Sequence, residues 1–523
     1  MSETTAPPSA AEPAPRAQPG TVVFSANAIL AMLTALAIVL HALAIRNYGF
    51  FRDELYYMAC GRHLAWGYVD QPPLVALIAW ISHRVFGNSL AAIRVFPALA
   101  GAATVCLTGL FARELGGNRF SQFLAAMAVL FAPACLAFTG FFSMNAFEPL
   151  FWLGCAWIAV RIAGGASPRL WILFGAIAGV GVENKHTMIV FGFALVCGLM
   201  LAGQARLFKS PWFWLGGCVA FLIFLPNLHW EIVHGFPQIE VVRNAQKFKN
   251  EKVGAGLFLF DQALFVQPLT YLLCLTGIAW VFLEKEGKRF VFLAWTYFVI
   301  LAVFIALDGK SYYVVPADPI LIALGAVAFG RIVSKPAFRG ALVALILAGG
   351  LIALPLGLPI LPVPLFLRYL RVVPYGTVKT ERDATVALPQ LYADMFGWEN
   401  IADRIAEVYN ALPANERPGC AIAAGNYGEA GAIDYYGPAL GLPPAISGHN
   451  SYYDWGPRNY SGDCVILFGE RSTELTQYFR EVERVGTVSN PHSMPSERNV
   501  PIYLCHKPIA PLAELWPHFR MII

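Results

Sequence analysis

Apolar segments that are long enough, or nearly long enough, to cross a bilayer follow one another between residues 27 and 360. A water-soluble chain carries about a quarter charged residues, whereas only 13% of these 523 residues are charged and 57% are hydrophobic. Most of the surface must therefore contact lipid, where backbone polar groups are satisfied only inside helices or closed barrels. The sequence predicts a polytopic α-helical membrane protein with about 11 transmembrane helices. We place them near 27–46, 94–112, 120–139, 144–160, 170–183, 187–203, 211–229, 258–283, 290–307, 313–330 and 340–360.

Basic residues indicate the side on which each loop lies. If the amino terminus is cytoplasmic, every loop on its side carries Lys or Arg, which is the pattern of cytoplasmic loops. These residues are Arg113, Arg119, Arg161, Arg169, Arg206, Lys209, Lys285, Lys288, Arg289, Arg331, Lys335 and Arg339. The same parity places segments 47–93, 184–186, 230–257 and 308–312 outside. Segment 72–86 is apolar but only about fifteen residues long, so we predict an interfacial or re-entrant helix there.

Composition divides the chain into three parts. Residues 1–26 are rich in Ala, Pro, Ser and Thr, which predicts a disordered cytosolic tail. Residues 27–362 form the predicted transmembrane domain, with 47–93 as its first outer loop. Charged residues make up 30 of the last 159 residues but only 40 of the first 364. This shift predicts that residues 363–523 form a soluble, extracytoplasmic domain.

The predicted C-terminal domain reads as an α/β unit. Apolar runs at 421–424, 464–468 and 502–505 indicate strands, and the patterns at 398–412 and 472–482 indicate helices. Three cysteines fall in the predicted strands, so at most one pair of them can form a disulfide. The aromatic stretch 449–455 predicts either a loop that contacts glycans or a loop packed against the membrane domain.

Charge excludes nucleic acid as a partner. The net charge is only +4, and the Lys and Arg residues are scattered at loop ends instead of forming one basic face. The ionisable residues instead gather on the outer side. Those within the spans lie near outer helix ends, and others occupy outer loops: Glu148, Asp261 and Asp318, and then Asp53, Glu54, Asp70, Lys185, His186, His229, Glu231 and Lys310. Either outer loops are simply polar, or these residues form a functional site at the membrane surface.

Four stretches carry most of this signal, namely 51–73, 143–148, 183–186 and 308–319. In the first, Asp53 and Glu54 are adjacent. Adjacent side chains on a helix point about 100° apart, so at most one of the two carboxylates faces a substrate while its surroundings hold the other. Tyr57, four residues after Asp53, shares the face of Asp53.

In these stretches the chain resembles the polytopic GT-C glycosyltransferases of family 39 type. This group includes protein O-mannosyltransferases, the lipid A aminoarabinose transferase and the galacturonosyl transferases of lipopolysaccharide core. The resemblance covers roughly residues 27–330. It rests on Asp53-Glu54, Tyr-Val-Asp-Gln-Pro-Pro-Leu at 68–74, Arg94, Asn-Lys-His at 184–186 and Gly-Lys-Ser-Tyr-Tyr-Val-Val-Pro-Ala at 309–317. Stretches 425–431 and 441–452 also resemble the tail of some bacterial members.

The resemblance implies an inverting glycosyltransferase that is a multi-pass protein of the bacterial plasma (inner) membrane. A sugar would pass from a polyprenyl-phosphate donor, on the outer face, to a hydroxyl of an envelope acceptor. Lipid A, lipopolysaccharide core, another glycan and a protein all satisfy this description, so both the sugar and the acceptor stay open. The expected partners are the donor, a glycolipid, glycan or protein acceptor, and membrane lipids.

Chemistry then suggests roles for individual residues. An alcohol is a poor nucleophile, so we assign Asp53 as general base, with Glu54 as the second catalytic candidate. Glu54 or Asp70 would orient Asp53 or bind sugar hydroxyls. The departing phosphate gains negative charge, which cations must offset. The cationic candidates are Lys185 and Lys310, with Arg62 and Arg94 in addition.

The other substrate-binding candidates are Tyr57, Asn145, Glu148, His186, Tyr312 and Tyr313. The last two tyrosines either stack on sugar or anchor the chain at the membrane interface. Similarly, segment 72–86 either cradles the isoprenoid chain or braces the surface.

Cofactors are not fixed by the sequence. Many relatives carry His where this chain has Gln71 and Tyr where it has Asp318, and the loss of the imidazole weakens an inherited metal site. A divalent metal would have to be held by outer-side residues, for which the candidates are Asp70, Glu148, His186 and His229. We assign no metal ligand. The glycines at 425, 428 and 431 have the wrong spacing for a dinucleotide site.

The main alternative is a transporter or flippase of a lipid-linked sugar. Such a protein is expected to have charged residues near the bilayer midplane and internal repeats, and the sequence has neither. A receptor with a ligand-binding tail leaves the Asp53 stretch unexplained. The enzyme is therefore the preferred interpretation.

Overall fold

The computed structural model describes residues 25–373, 387–469 and 475–523. Nearly all of the predicted tail 1–26 lies outside the described residues. In the first range the helices are α1 (Ala26–Ala44), α2 (Arg52–Arg62), α3 (Leu74–Phe86), α4 (Leu90–Glu114), α5 (Arg119–Leu130), α6 (Pro133–Gly140), α7 (Glu148–Ala163), α8 (Leu170–Asn184), α9 (Thr187–Leu201), α10 (Pro211–Val233), α11 (Pro237–Asn244), α12 (Ala255–Val266), α13 (Pro268–Leu283), α14 (Val291–Ala306), α15 (Asp318–Ile332), α16 (Pro336–Gly357) and α17 (Val363–Val372).

The helices confirm a polytopic membrane protein. In the part of the chain that the structure describes, seven helices are long and apolar enough to cross a membrane, and two bent pairs raise the number to nine. The shorter apolar helices α8 and α9 occupy two more of the predicted spans. Helix α3 covers most of the short segment 72–86. Its 13 residues span only about 20 Å, less than the hydrocarbon core of a bilayer.

Two predicted spans are not single straight helices: segment 120–139 bends by 58° between α5 and α6, and segment 258–283 bends more sharply. The segment 258–283 is not one straight helix, because α12 and α13 meet at an angle of 107°. Gln267, between them, has a φ of 67° and Pro268 begins α13. Proline has no N–H to continue the ladder of α12, and a left-handed residue before it turns the chain. Hydropathy averages over such a bend and does not detect it.

The C-terminal part is a five-stranded α/β unit. Its strands are β1 (Cys420–Ala424), β2 (Ile446–Ser447), β3 (Cys464–Phe468), β4 (Phe479–Ser489) and β5 (Asn499–Pro508), in the order β2-β1-β3-β5-β4. The first three are mutually parallel, and β5 runs antiparallel to both β3 and β4. Its helices are α18 (Gln390–Ala393), α19 (Trp398–Ala411), α20 (Tyr427–Tyr436), α21 (Ser451–Asp454) and α22 (Leu512–Leu515).

The strands show why this sheet has a buried centre. Every residue of β3 is buried, as expected for a strand covered on both faces. A disulfide joins Cys420 of β1 to Cys464 of β3, whereas Cys505 is a free buried thiol. The predicted helix at 472–482 is wrong, since β4 begins at Phe479. That strand pairs with β5 along its length, and this long-range pairing overrides the local pattern.

Candidate active site

A cavity of about 350 Å³ lies where α2, α6 and α12 meet the C-terminal part. Polar and apolar residues both contribute to its lining. The polar lining consists of Arg52, Asp53, Asn145, Lys249, Lys310, Tyr312, Gln390 and Tyr427. The apolar lining consists of Phe51, Pro133, Ala134, Ala137, Phe138, Phe141, Leu264, Phe265, Leu356, Pro389 and Leu391. Four of the residues predicted from the sequence therefore share one cavity, namely Asp53, Asn145, Lys310 and Tyr312.

The two adjacent carboxylates of α2 have different surroundings. Asp53 lines the cavity and accepts a hydrogen bond of 2.9 Å from the Tyr427 hydroxyl. Glu54 is 0% exposed. It accepts two hydrogen bonds from Arg94, of 2.9 and 2.8 Å, and one of 2.8 Å from each of the backbone N–H groups of Phe51 and Phe142. Of the two, only Asp53 is placed to meet a substrate.

Arg94 serves the fold around Glu54. Its side chain is 1% exposed, and besides binding Glu54 it donates to the carbonyl oxygen of Gly49 at 2.8 Å. Among the described residues that line the cavity there is neither Glu54 nor Arg94. The ion pair thus ties α4 to the start of α2, and it holds the backbone on which Asp53 stands.

Cations outnumber carboxylates around the cavity. Arg52, Lys249 and Lys310 line it together with the single carboxylate of Asp53. The ammonium group of Lys310 lies 5.8 Å from the centre of the Tyr312 ring, and Tyr312 also contacts Phe138 of the apolar lining. A phosphate that entered this cavity would meet opposite charge next to an apolar surface.

Lys185 does not line the cavity itself, but it contacts Asn145, which does. It donates to Asn145 at 2.7 Å and forms an ion pair of 3.1 Å with Glu148, whose other oxygen binds Thr187. The Lys185 ammonium also lies 4.6 Å from the ring centre of Tyr313. The contact with Lys185 holds the side chain of Asn145, which lines the cavity. These contacts place Lys185, Glu148 and Tyr313 one layer away from the cavity.

Asp70 forms a second acidic group close to Asp53. It accepts hydrogen bonds from the Tyr56 hydroxyl at 2.7 Å and the Asn450 amide at 3.2 Å. Burial, together with a smaller contribution from the negative charge of Asp53, raises the pKa of Asp70 to about 6. Burial also raises the pKa of Tyr57 well above its ordinary value, with smaller contributions from both carboxylates.

Of the two alternatives for stretch 449–455, the structure shows the loop that packs against the membrane part. The Ser451 hydroxyl donates to the Tyr56 hydroxyl at 2.8 Å and accepts a hydrogen bond of 3.1 Å from the backbone N–H of Val69, while Asn450 binds Asp70. The C-terminal part is therefore joined to segment 47–93 by polar contacts that include Asp70.

Two predicted site residues lie elsewhere. His186 shares a hydrogen bond of 3.0 Å with Asn227, and Arg62 donates to the carbonyl oxygen of Asp434 at 2.8 Å. Arg62 lines a separate cavity between α2, α3 and α4. Neither lines the Asp53 cavity in the part of the chain that the structure describes.

The suggested metal set is not assembled. Glu148 binds Lys185 and His186 binds Asn227, so these candidates do not converge. Within the described ranges, the only group with metal-ligand spacing is Glu416, Cys464 and His506, and the sulfur of Cys464 is already in the disulfide.

Four polar residues of the cavity were not selected from the sequence. For three of them, a feature of the sequence could have indicated a place in the site. Arg52 precedes Asp53, Tyr427 lies in the glycine-containing stretch 425–431, and Lys249 belongs to segment 230–257 with Arg243, Lys247 and Lys252. The sequence predicts that this segment is outside, where a basic cluster runs against the usual charge bias of membrane proteins. Gln390 has no comparable signal.

Comparison with known proteins supports the architecture. Residues 70–230 match the family model described as Dolichyl-phosphate-mannose-protein mannosyltransferase. No curated protein matches the chain in sequence. ArnT from Cupriavidus metallidurans bound to undecaprenyl phosphate is a similar solved structure, with 16% identity and a TM-score of 0.59, covering 91% of this chain and 98% of that one. The same protein in the apo state gives 15% identity and a TM-score of 0.56, covering 90% and 97%. The shared fold thus includes both the membrane and the C-terminal parts.

Proposed function

We propose that the chain is a GT-C glycosyltransferase of family 39 type, which transfers a sugar from a polyprenyl-phosphate donor to a hydroxyl of an envelope acceptor. The observation that carries this proposal is the shared cavity of Asp53 and Lys310. These residues come from segments more than 250 positions apart, yet they provide a proton acceptor and a cation in one space. Glycosyl transfer from a lipid phosphate to an alcohol needs both.

The reaction can be written with these groups. The acceptor hydroxyl gives its proton to the Asp53 carboxylate while its oxygen forms a bond to the anomeric carbon. The bond between that carbon and the phosphate oxygen breaks, and the electron pair leaves with the polyprenyl phosphate. Arg52, Lys249 and Lys310 offset the added negative charge. A single displacement of this kind inverts the anomeric configuration.

The mixed lining of the cavity suits the two ends of the donor. Besides the polar groups, aromatic and aliphatic residues of α6 and α12 line it, including Phe138, Leu264 and Phe265. An isoprenoid chain needs apolar contact, and its phosphate needs cations. Asn145, fixed by Lys185, is a candidate to bind a sugar hydroxyl.

The proposed location is the outer face of the bacterial inner membrane, with residues 363–523 outside the cytoplasm. Two observations support it. The loops assigned to the cytoplasm carry basic residues, and the C-terminal part holds the Cys420–Cys464 disulfide, which persists in oxidising compartments. Protease treatment of spheroplasts tests this. We expect cleavage within 363–523, and full protection there would reverse the orientation.

The function is tested by turnover of the donor. Purified protein in detergent or vesicles receives a radiolabelled polyprenyl-phosphate sugar and an extract of envelope acceptors. We expect release of polyprenyl phosphate and transfer of label to the acceptor. A transporter would move the donor across the vesicle membrane and leave it chemically intact. Mass spectrometry of envelope glycolipids and proteins, with and without the gene, then identifies the sugar and the acceptor.

A further inference from the structure

Tyr427 reaches Asp53 from a distant part of the chain. Its hydroxyl donates to Asp53 Oδ1 at 2.9 Å across 374 residues of sequence, and its side chain lines the cavity. The ring stacks on Tyr56 at 4.6 Å between centroids and contacts the His449 ring at 4.7 Å. The residue is only 5% exposed. The hydroxyl is thus held in place by packing on its own ring.

The start of α20 is fixed as well. The Asn426 side chain accepts hydrogen bonds from the N–H groups of Gly428 and Glu429, at 2.9 and 3.0 Å. In return, the buried carboxylate of Glu429 accepts from the N–H groups of Gly425 and Asn426, at 2.8 and 3.2 Å. This reciprocal capping box fixes the first turn of the helix, where Tyr427 is the first residue.

Two glycines let α20 approach the helix that carries Asp53. A Cβ on Gly431 would lie 2.9 Å from Leu55 Cβ and 3.0 Å from the Leu55 carbonyl carbon. A Cβ on Gly428 would lie 2.5 Å from Arg52 Cγ. Residues three apart share a helix face, so both glycines face α2. The glycine spacing that does not fit a dinucleotide site is explained by close helix packing.

From this geometry we infer that Tyr427 is a positioning residue for the general base. The inference rests on the proposed function. The hydrogen bond to Oδ1 fixes the rotamer of Asp53, and it leaves Oδ2 as the oxygen that takes the acceptor proton. The C-terminal part thereby completes the active site of the membrane part. The C-terminal part acts on catalysis through Asp53, by one hydroxyl group.

The test compares two tyrosines of the same helix. Tyr427→Phe removes the hydroxyl and keeps the ring, whereas Tyr435→Phe removes a hydroxyl that binds the carbonyl oxygen of Asn88, away from the cavity. In full-length protein we measure kcat and the donor KM from release of polyprenyl phosphate. We expect Tyr427→Phe to lower kcat about tenfold with KM within about twofold. Tyr435→Phe should match the unmodified protein, and the melting temperatures should agree.

The outcomes separate the two claims. If the unmodified protein releases no polyprenyl phosphate, the proposed function fails and this inference fails with it. If the unmodified protein is active and Tyr427→Phe keeps its kcat, the inference alone is overturned. A rise in KM at constant kcat also overturns it, because that result indicates substrate binding instead of positioning. An equal loss in Tyr435→Phe would indicate a general effect of helix α20 and contradict the assignment.

Discussion

Asp53 and Glu54 are adjacent residues of α2, yet their surroundings differ in hydrogen-bond donors and in access to the cavity. Glu54 is closed off, with two bonds from Arg94 and two from backbone N–H groups. Asp53 faces a cavity and accepts a hydrogen bond from a neutral hydroxyl. A carboxylate whose lone pairs are occupied by cationic and amide donors stabilises the fold. Its neighbour on the open side keeps the capacity to accept a proton.

The largest effect is expected from Asp53→Asn. The amide keeps the shape and still accepts the Tyr427 hydrogen bond, but it cannot take a proton from the acceptor. We expect turnover to fall by about 10³-fold with the melting temperature unchanged. Release of polyprenyl phosphate by purified protein measures this. Undiminished turnover would remove Asp53 from the mechanism.

Glu54→Gln should lower the stability of the protein more than its turnover, which is the opposite of Asp53→Asn. It leaves the buried guanidinium of Arg94 without its counter-charge, which costs about 3 kcal/mol or more of stability. We expect a clear fall in melting temperature and in the yield of folded protein. In molecules that remain folded, turnover should decline far less than in Asp53→Asn. An unchanged melting temperature would contradict the structural role of this ion pair.

Lys310→Met tests the cationic lining of the cavity. Loss of one charge at the leaving phosphate should lower kcat/KM about 100-fold. Lys252→Met is the matched control, because Lys252 is 73% exposed and pairs with Asp308 at the surface. We expect its activity to stay close to that of the unmodified protein. Equal effects in both variants would mean that general surface charge, and not the cavity, accounts for the loss.

Gly431→Ala tests how tightly the two parts of the active site are packed. The added methyl group meets Leu55 on α2, including its backbone, so α20 must shift. We expect a destabilisation of about 1–3 kcal/mol and a reduced kcat. Gly419→Ala, where the added methyl group meets no heavy atom within 4 Å, serves as the control in thermal unfolding.

The smallest expected effect concerns Asp70 and pH. Because the pKa of Asp70 is raised to about 6 in the folded protein, the folded state holds a proton that the unfolded state has lost. This stabilisation is present below about pH 4 and disappears as pH rises through 6. Asp70→Asn should therefore gain stability relative to the unmodified protein between pH 4 and 6. Thermal unfolding across this range checks it, and a constant difference would contradict the raised pKa.

Local signals in the sequence are enough to predict the membrane helices and half of the polar residues that line the cavity. Hydropathy and loop charge indicate the spans, and the 100° offset of neighbouring helical residues indicates that Asp53 and Glu54 have separate roles. The bend before Pro268 and the strand at Phe479 are missed because backbone breaks and strand pairing do not register in local averages. Tyr427 is missed because its contact with Asp53 depends on how two distant parts of the chain dock.

The order of synthesis gives the Asp53–Tyr427 contact a further consequence. The ribosome completes α2 long before α20, and domains fold as units as they emerge. The nascent protein therefore inserts its helices while the base still lacks its partner. We expect a chain that stops short of Tyr427 to enter the membrane normally and to turn over slowly. Docking of the C-terminal part against α2 would then be the last step of maturation, after which the protein reaches its full rate.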